Sequence, residues 1–527
     1  MKLVYALTAF APLIAAIAAG LFGRRIGRVN AHRVTIASVA LSFLLSCYAF
    51  VHVVLGDAPV FDESLYVWLV SGDIRFEVGF LVDELTVLMM LVVTFVSLMV
   101  HVYTIGYMHE DPGYQRFFSY LSLFTFSMLM LVMSNNFLQL FFGWEAVGTV
   151  SYLLIGFWYT KESAIFANMK AFLVNRVGDF GFVLGIAAVV MYTDSLHYAD
   201  AFAAAPELVG QTMTILGGAE WQVITVICIL LFIGAMGKSA QAPLHVWLPD
   251  SMEGPTPISA LIHAATMVTA GIYMVARMSP LFELSETALT FIVIIGAFTA
   301  FFMGLIGVVQ NDIKRVIAYS TLSQLGYMTV ALGVSAYSAA IFHLMTHAFF
   351  KALLFLAAGS VIMAMHHEQD IRKMGGLWRK MPITWATSLI GSLALIGFPF
   401  LSGFYSKDII IEAVHASTLP GAHIAYWAVL GGVFVTAFYS FRMFFLVFHG
   451  KPRDQKLFDH AHETPKVVTV PLILLAIPSV LIGGMTVAAI AFGGFFDGII
   501  TVRPEHDVLA EVSSHFHGAI AFGLHAV

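Results

Sequence analysis

The sequence predicts an all-α polytopic membrane protein with about fourteen transmembrane helices. Hydrophobic residues make up 59% of the 527-residue chain and charged residues only 11%, whereas soluble domains carry about 25% charged residues. Apolar runs of about 20 residues, enough for a membrane-spanning helix, recur along nearly the whole chain, and their length and weak alternation argue against a β-barrel. This composition excludes a soluble enzyme, a nucleic-acid binder and a disordered protein.

Fourteen apolar segments divide the chain. Their approximate cores are 3–22, 34–55, 84–105, 116–133, 136–157, 164–191, 221–242, 256–276, 288–309, 315–334, 338–364, 383–412, 424–448 and 467–493. The longest connections, 57–82 and 193–219, are predicted as acidic loops that contain glycine and alanine. Prolines interrupt segments seven and twelve at Pro243 and Pro399, so both are predicted to be broken helices.

The distribution of Lys and Arg predicts the orientation of the segments. Connections after odd-numbered segments hold sixteen of the 26 basic residues, and the opposite side holds only four, which are Lys2, Arg75, Arg277 and Arg503. Because basic residues concentrate on the cytoplasmic side, the N-terminus and the tail after segment fourteen are predicted to be non-cytoplasmic.

The six remaining basic residues fall within the segments. They are Lys170, Arg176, Lys238, Lys351, Lys407 and Arg442, and the acidic residues at comparable depth are Glu145, Asp179, Asp408 and Glu412. Charges inside a membrane are costly, so they mark either function or a structural ion pair. Lys170, Arg176, Asp179 and Arg442 fit either interpretation, and Arg176 and Asp179 can pair because they are three residues apart on one helix.

Histidines extend this set. His343, His347 and Lys351 follow one another at intervals of four residues and line one helix face, and His263 lies early in segment eight. Paired histidines can ligate haem or a metal ion. A row that continues into lysine is better suited to passing protons, because histidine titrates near neutral pH and a nearby carboxylate changes how readily a buried lysine binds a proton.

The spacing of these groups also predicts an internal duplication. They occur in segments 5, 7 and 8 and again in 11 and 12, with the broken segments in corresponding places, which is typical of inverted repeats around an ion path. The predicted divisions are 1–115 (segments one to three), 116–276 (first repeat), 277–448 (second repeat) and 449–527 (loop, segment fourteen and an incomplete C-terminal region).

Several strings resemble one family over almost the whole length of the chain. They are FFGWEAVGTVSYLLIGFW, NRVGDFGF, KSAQAPLHVWLPDSMEGPTPISALIHAATMVTAGIY, NDIKRVIAYSTLSQLGYM, HLMTHAFFKALLFL, GFPFLSGFYSKD and HAHETPKVVTVPLILLAIPSVLIGG. Together they resemble the antiporter-like membrane subunits of proton-pumping NADH:quinone oxidoreductase (complex I), of the subunit L or mitochondrial subunit-5 type. Lys407 resembles this type, since the M-type subunit has a glutamate there.

The resemblance implies roles for the matching positions. Glu145 would be the carboxylate that tunes Lys238, His263 would relay protons towards the second repeat, and Lys407 would be the terminal lysine. Asp408 would modulate exit from Lys407. The connecting polar axis would consist of His343, His347 and Lys351. Asp179 would lie near Lys238, and Arg176 would be a supporting neighbour of Asp179.

The resemblance also implies that the chain is a non-redox subunit of a proton-translocating NADH:quinone reductase in a bacterial inner (plasma) membrane. It would bind no cofactor or metal itself, while partner subunits would hold NADH, FMN, iron–sulfur clusters and quinone. Expected partners are other complex I membrane subunits, especially the adjacent M-type subunit, and the lipid bilayer, with no nucleic acid. The alternatives are a subunit of a multisubunit sodium/proton antiporter or of a membrane-bound hydrogenase. The C-terminus is expected to be truncated, because the family continues beyond segment fourteen.

Overall fold

The structure is a computed structural model that describes residues 1–56, 58–72, 74–215, 218–514 and 516–525. Most of these residues belong to helices that pack side by side. Eleven spans in the described part of the chain are long and apolar enough to cross a membrane. The predicted all-α membrane fold is therefore confirmed.

The N-terminal part of the bundle contains a strand pair beside its helices. Its elements are α1 (Lys2–Leu21), α2 (Gly23–Phe50, continued by a π-helical turn, Val51–Leu55), β1 (Phe61–Ser71), β2 (Ile74–Val82) and α3 (Glu84–Tyr107). The strands pair antiparallel, from Phe61 opposite Val82 to Ser71 opposite Ile74. The connection predicted as a loop is therefore a hairpin, because its β-branched and aromatic residues favour strands.

Asp62 joins this hairpin to the rest of the bundle. Its carboxylate accepts a hydrogen bond from Asn135 at 2.9 Å and lies 3.3 Å from Nε2 of His197. Both Asp62 and His197 lie outside the spanning helices, and the hydrogen bond that the imidazole makes to the Asp62 carboxylate raises the pKa of His197. A charged contact thus holds the two longest connections together at one end of the bundle.

The next helices lead to the first break. They are α4 (Tyr114–Val132), α5 (Phe137–Ile155), α6 (Glu162–Thr193) and α7 (Tyr198–Ala204), followed by strands β3 (Thr212–Thr214) and β4 (Glu220–Gln222) and by α8 (Val223–Lys238). The predicted interruption of segment seven is confirmed, because α8 ends at Lys238, five residues before Pro243.

Segment eight is also interrupted, which was not predicted. Its parts are α9 (Thr256–Ala264), a 3-10 turn (Met267–Thr269) and α10 (Ala270–Arg277). The break lies one residue beyond His263. No proline lies at this break, so the sequence carried no simple signal for it.

The second half of the bundle repeats this pattern of long and broken helices. It contains α11 (Ser279–Phe282), α12 (Glu286–Val309), α13 (Ile313–Gly333), α14 (Tyr337–Ala364), α15 (Pro382–Ile396), α16 (Ser402–Ala416), α17 (Ala422–Phe448), α18 (Gln455–His460), α19 (Lys466–Phe492), α20 (Val508–Ser514) and α21 (Ala519–His525). Helices occupy all fourteen predicted positions. Segment twelve is divided into α15 and α16 around Pro399, as expected. The division into two repeats stays a prediction.

Candidate functional site

Four charged side chains meet between α5, α6 and α8. Nζ of Lys238 lies 2.9 Å and 3.1 Å from the two carboxylate oxygens of Asp179. The guanidinium of Arg176 lies 3.6 Å from Asp179 and forms an ion pair with Glu145. The predicted contact between Arg176 and Asp179 is therefore present, and the cluster carries two positive and two negative charges.

A close backbone contact places Lys238 against Asp179. A Cβ atom on Gly178 would lie 2.9 Å from the Cα of Gly237, so α6 and α8 approach as closely as small residues permit. Asp179 and Lys238 are the next residue on each helix. Two glycines therefore bring the carboxylate and the ammonium together.

Glu145 does not contact Lys238 directly, and its role as the carboxylate that tunes Lys238 stays a prediction. Among the described residues, the carboxylate in contact with Lys238 is Asp179, and Glu145 is linked to it through Arg176. The indole of Trp144 also donates a hydrogen bond to Asp179 at 2.8 Å. Sequence reasoning missed Trp144, because an aromatic residue on an apolar helix carries no distinctive signal.

The histidine row lies on one continuous helix, α14. His343 is within hydrogen-bond distance of Ser406 on α16, at 2.8 Å, and of Gln324 on α13, at 3.1 Å. Lys351 donates a hydrogen bond to Ser320 on α13. The row therefore contacts hydroxyl and amide groups of two neighbouring helices, which sequence reasoning did not identify.

His263 and His347 approach each other where the two halves meet. Nε2 of His263 lies 3.0 Å from the hydroxyl of Ser251, and its ring stacks on Phe355 of α14 at 5.3 Å. Nδ1 of His347 lies 3.3 Å from the carbonyl oxygen of Ala264, the residue after His263. His263 of segment eight and His347 of α14 therefore lie close together at the break in segment eight.

Lys407 is buried near the start of α16. Its Nζ lies 4.7 Å from the centre of the Tyr327 ring and has no hydrogen-bond partner among the described residues. Asp408, the next residue, is only half-buried. Glu412 is exposed one turn further on.

Other buried polar atoms along the row also lack a partner among the described residues. They are Ser239 Oγ, Gln241 Oε1, His263 Nδ1, Gln324 Nε2 and His347 Nε2. Buried polar atoms in folded proteins usually bind ordered water where protein partners are absent. These atoms extend from the break after α8 to α13 and α14, so the interior of the bundle is polar between these elements.

The remaining intramembrane cations bind local partners. Lys170 pairs with Asp250 at 2.7 Å, and Arg442 donates to the carbonyl of Gln310 at 2.6 Å and to Asn311 at 2.7 Å. These contacts support the structural interpretation of Lys170 and Arg442.

Two basic residues assigned to connections from the sequence are in fact buried. Arg277 pairs with Asp83, the residue that caps α3. Lys314 donates hydrogen bonds to the carbonyl groups of Met252, at 2.5 Å, and Gly254, at 2.7 Å. The charge pattern locates such residues near helix ends, but burial depends on the contacts between helices.

Comparisons with known proteins agree on one family. Residues 134–436 match the model of the family "NADH:quinone oxidoreductase/Mrp antiporter, TM", and residues 68–118 match "NADH-Ubiquinone oxidoreductase (complex I), chain 5 N-terminus". NADH-quinone oxidoreductase subunit L of Neisseria meningitidis serogroup A is 62% identical over 99% of this chain and 81% of the relative. NADH-ubiquinone oxidoreductase chain 5 of Marchantia polymorpha is 51% identical over 96% of this chain and 76% of the relative.

Two solved structures share the fold. A chain of the Mrp complex from a Dietzia species aligns with a TM-score of 0.78 and 24% identity, over 99% of this chain and 55% of that chain. A chain of the archaeal membrane-bound sulfane sulfur reductase aligns with a TM-score of 0.80 and 22% identity, over 94% of this chain and 78% of that chain. At these identities the likeness establishes the fold alone.

Proposed function

This chain belongs to the family of NADH:quinone oxidoreductase subunit L and chain 5, and from that premise we propose that a row of buried polar side chains carries protons across the membrane. The row runs from Lys238 through His263 and the polar side chains of α14 to Lys407. The chain is then a proton-translocating membrane subunit of complex I. The observation that carries the proposal is the contact between Lys238 and Asp179, a fully buried lysine 2.9 Å from a buried carboxylate.

The charge cluster supports a mechanism for loading and unloading Lys238. An ammonium paired with a carboxylate keeps its proton, whereas one left in an apolar setting tends to lose it. Arg176 lies between Glu145 and Asp179 and competes with Lys238 for Asp179. Movement of Arg176 between the two carboxylates would therefore change the proton affinity of Lys238.

The proton path would continue through the contacts between the two halves. His263 and His347 are the groups that bridge the halves, His343 and Lys351 extend the row along α14, and Lys407 ends it. Imidazole rings and hydroxyl groups separated by water can pass protons along hydrogen bonds. Asp408, beside Lys407, would modulate release.

The side of the bundle that carries Glu145 and Arg176 is the proposed contact with a neighbouring subunit. These side chains remain 23% and 31% exposed within helices α5 and α6. Charged groups at membrane depth normally face protein rather than lipid, so a polar surface of the M-type subunit is the proposed partner. NADH, FMN, iron–sulfur clusters and quinone would be held by partner subunits, and quinone reduction would drive the path through this contact.

The charge asymmetry supports a bacterial inner-membrane orientation with the N-terminus outside the cytoplasm. Proteolysis of sealed vesicles of known orientation would check it. An epitope placed before Lys2 should be cleaved only when the non-cytoplasmic face is exposed.

Co-purification from the native membrane tests the function itself. We expect the other membrane and hydrophilic subunits of NADH:quinone oxidoreductase to accompany the chain, with NADH-driven proton uptake in sodium-free vesicles. Recovery of small antiporter subunits alone, or uptake that requires sodium, would instead indicate the sodium/proton antiporter. Recovery of a hydrogenase would indicate the membrane-bound hydrogenase.

The contact between α6 and α8 provides a structural test of the lysine switch. We expect Gly178→Ala to lower quinone-coupled proton uptake by about tenfold, because the new methyl group would push Gly237 away and lengthen the contact between Asp179 and Lys238. Ala187→Gly, on an exposed position of the same helix, is the control for general weakening of α6. Equal uptake in both variants would contradict the importance of this contact.

A further inference from the structure

Glu283 is a buried carboxylate that lies outside the row described above. It follows α11 and accepts hydrogen bonds from Ser335 at 2.5 Å, from Tyr337 at 2.8 Å and from the backbone N–H of Arg503 at 3.0 Å. Nδ1 of His506 lies 3.0 Å from Oε2 of Glu283, the same oxygen that accepts the hydrogen bond from Arg503. Two distant parts of the chain, 335–337 and 503–506, therefore converge on this carboxylate, which is only 1% exposed.

His506 connects this carboxylate to the surface. Its ring is buried, with Nδ1 at Glu283 and Nε2 3.7 Å from an oxygen of Glu286. The side chain of Glu286 is 64% exposed. The imidazole thus stands between an interior carboxylate and an exposed one, with one nitrogen towards each.

The tail that carries His506 also lies close to the helix of Lys407. A cavity of about 230 Å³ is lined by His506, by Glu511 and by residues 416–419, which end and follow α16. Helix α20 packs against α16. The whole arrangement lies at the end of the bundle where α10 ends and α14 begins, and the charge asymmetry predicts that this end is non-cytoplasmic.

We propose that Glu283, His506 and Glu286 form a proton-release relay at this end of the protein. A proton on Glu283 passes to Nδ1 of His506 while Nε2 gives up its proton, through a water that bridges the 3.7 Å to Glu286, and Glu286 releases it to bulk water. The ring changes tautomer without a net change in charge, and exchange of its single N–H proton from Nδ1 to Nε2 through water restores the starting tautomer. This inference rests on the proposed function, because it concerns where translocated protons leave.

The surroundings of His506 are rich in carboxylates. The charged groups that face the ring or its cavity are Glu283 and Glu286 from the α11–α12 region, and Arg503, Glu505, Asp507 and Glu511 from the tail. Arg503 forms an ion pair with Glu505 at 3.0 Å. The remaining carboxylates give the site a negative potential, which attracts protons and suits a group that passes them on.

Chemical rescue in the assembled complex distinguishes a relay from a structural latch. We expect His506→Ala to slow quinone-coupled proton release by about tenfold or more, and added imidazole to restore much of the rate. Glu286→Gln should slow release to a smaller extent, since water can replace an exposed acceptor. Glu220→Gln, an exposed carboxylate in β4 that does not line the cavity, is the matched control and should release protons normally.

Three results would overturn the relay. They are normal release in His506→Ala, a slow His506→Ala variant that imidazole does not rescue although the thermal stability of the complex is unchanged, and a loss explained entirely by lower thermal stability. Lys238→Ala separates this proposal from the proposed function. If Lys238→Ala stops uptake while His506→Ala behaves as wild type, only the relay fails; if Lys238→Ala pumps normally, the proposed function fails.

Discussion

Replacing Lys238 by alanine is expected to abolish most quinone-coupled proton uptake, with a loss of roughly a hundredfold in rate. Lys238 is fully buried, and Asp179 is the carboxylate that contacts it. Alanine removes the group that would bind the proton but leaves Asp179 with Trp144 and Arg176 as partners. Normalising uptake to the amount of assembled complex separates this functional loss from the lower stability that an unpaired Asp179 would cause. Proton uptake by vesicles during NADH oxidation measures the loss.

Lys170→Ala is the matched control for Lys238→Ala. Lys170 is also an intramembrane lysine with a carboxylate partner, Asp250, but it is 30% exposed and lies outside the row. We expect it to keep near-normal uptake. NADH oxidation by an artificial acceptor should be unchanged in both variants, since that reaction needs only the partner subunits. Unchanged pumping in Lys238→Ala would contradict the role assigned to the lysine.

The fold could be predicted largely from hydropathy, because a membrane requires long apolar helices and tolerates few charges. The same physics made the polar residues visible: Lys238, Lys351 and Lys407 stand out because so little charge surrounds them. Helical periodicity placed His343 and His347 on one face without further information. These predictions needed only local sequence and the cost of burying charge.

Contacts between helices could not be predicted in the same way. Asp179, rather than Glu145, contacts Lys238 because Gly178 and Gly237 let two backbones meet, and a single sequence does not reveal which glycines face each other. Ser320, which binds Lys351, was missed for a related reason, since an isolated serine on an apolar helix has no distinctive pattern.

The interruption of segment eight shows a further limit. Segments seven and twelve contain prolines at their breaks, which remove a backbone donor and disfavour a continuous helix. The break after Ala264 has no such residue, and there Nδ1 of His347 lies 3.3 Å from the Ala264 carbonyl oxygen. His263 was therefore identified from the sequence, but the break in the helix next to it was not.

The four-charge cluster explains why its members should act as a unit. Glu145, Arg176, Asp179 and Lys238 sum to zero charge, and a net charge at membrane depth is unfavourable. Removing one member leaves an unpaired charge, and breaking a buried pair in this way typically costs about 3–5 kcal/mol. The effects of substitutions in the cluster should therefore be strongly non-additive.

A double substitution should restore activity that a single one removes. In Glu145→Gln, Arg176 loses one carboxylate and competes for Asp179, so we expect about tenfold lower proton uptake. Adding Arg176→Gln returns the cluster to zero charge and leaves Asp179 to Lys238, so uptake should recover to within a few-fold of wild type. Quinone-driven uptake in vesicles, normalised to the amount of assembled complex, measures both.

The combination of Asp179→Asn with Arg176→Gln separates net charge from contact. It also sums to zero, since Glu145 and Lys238 remain charged, but it removes the carboxylate that lies 2.9 Å from Lys238. We expect no recovery in this variant, because Glu145 is joined to the lysine only through the residues that have been replaced. Recovery equal to that of the Glu145→Gln/Arg176→Gln variant would show that net charge alone governs the lysine. Failure of both combinations would contradict the competition of Arg176 and Lys238 for Asp179.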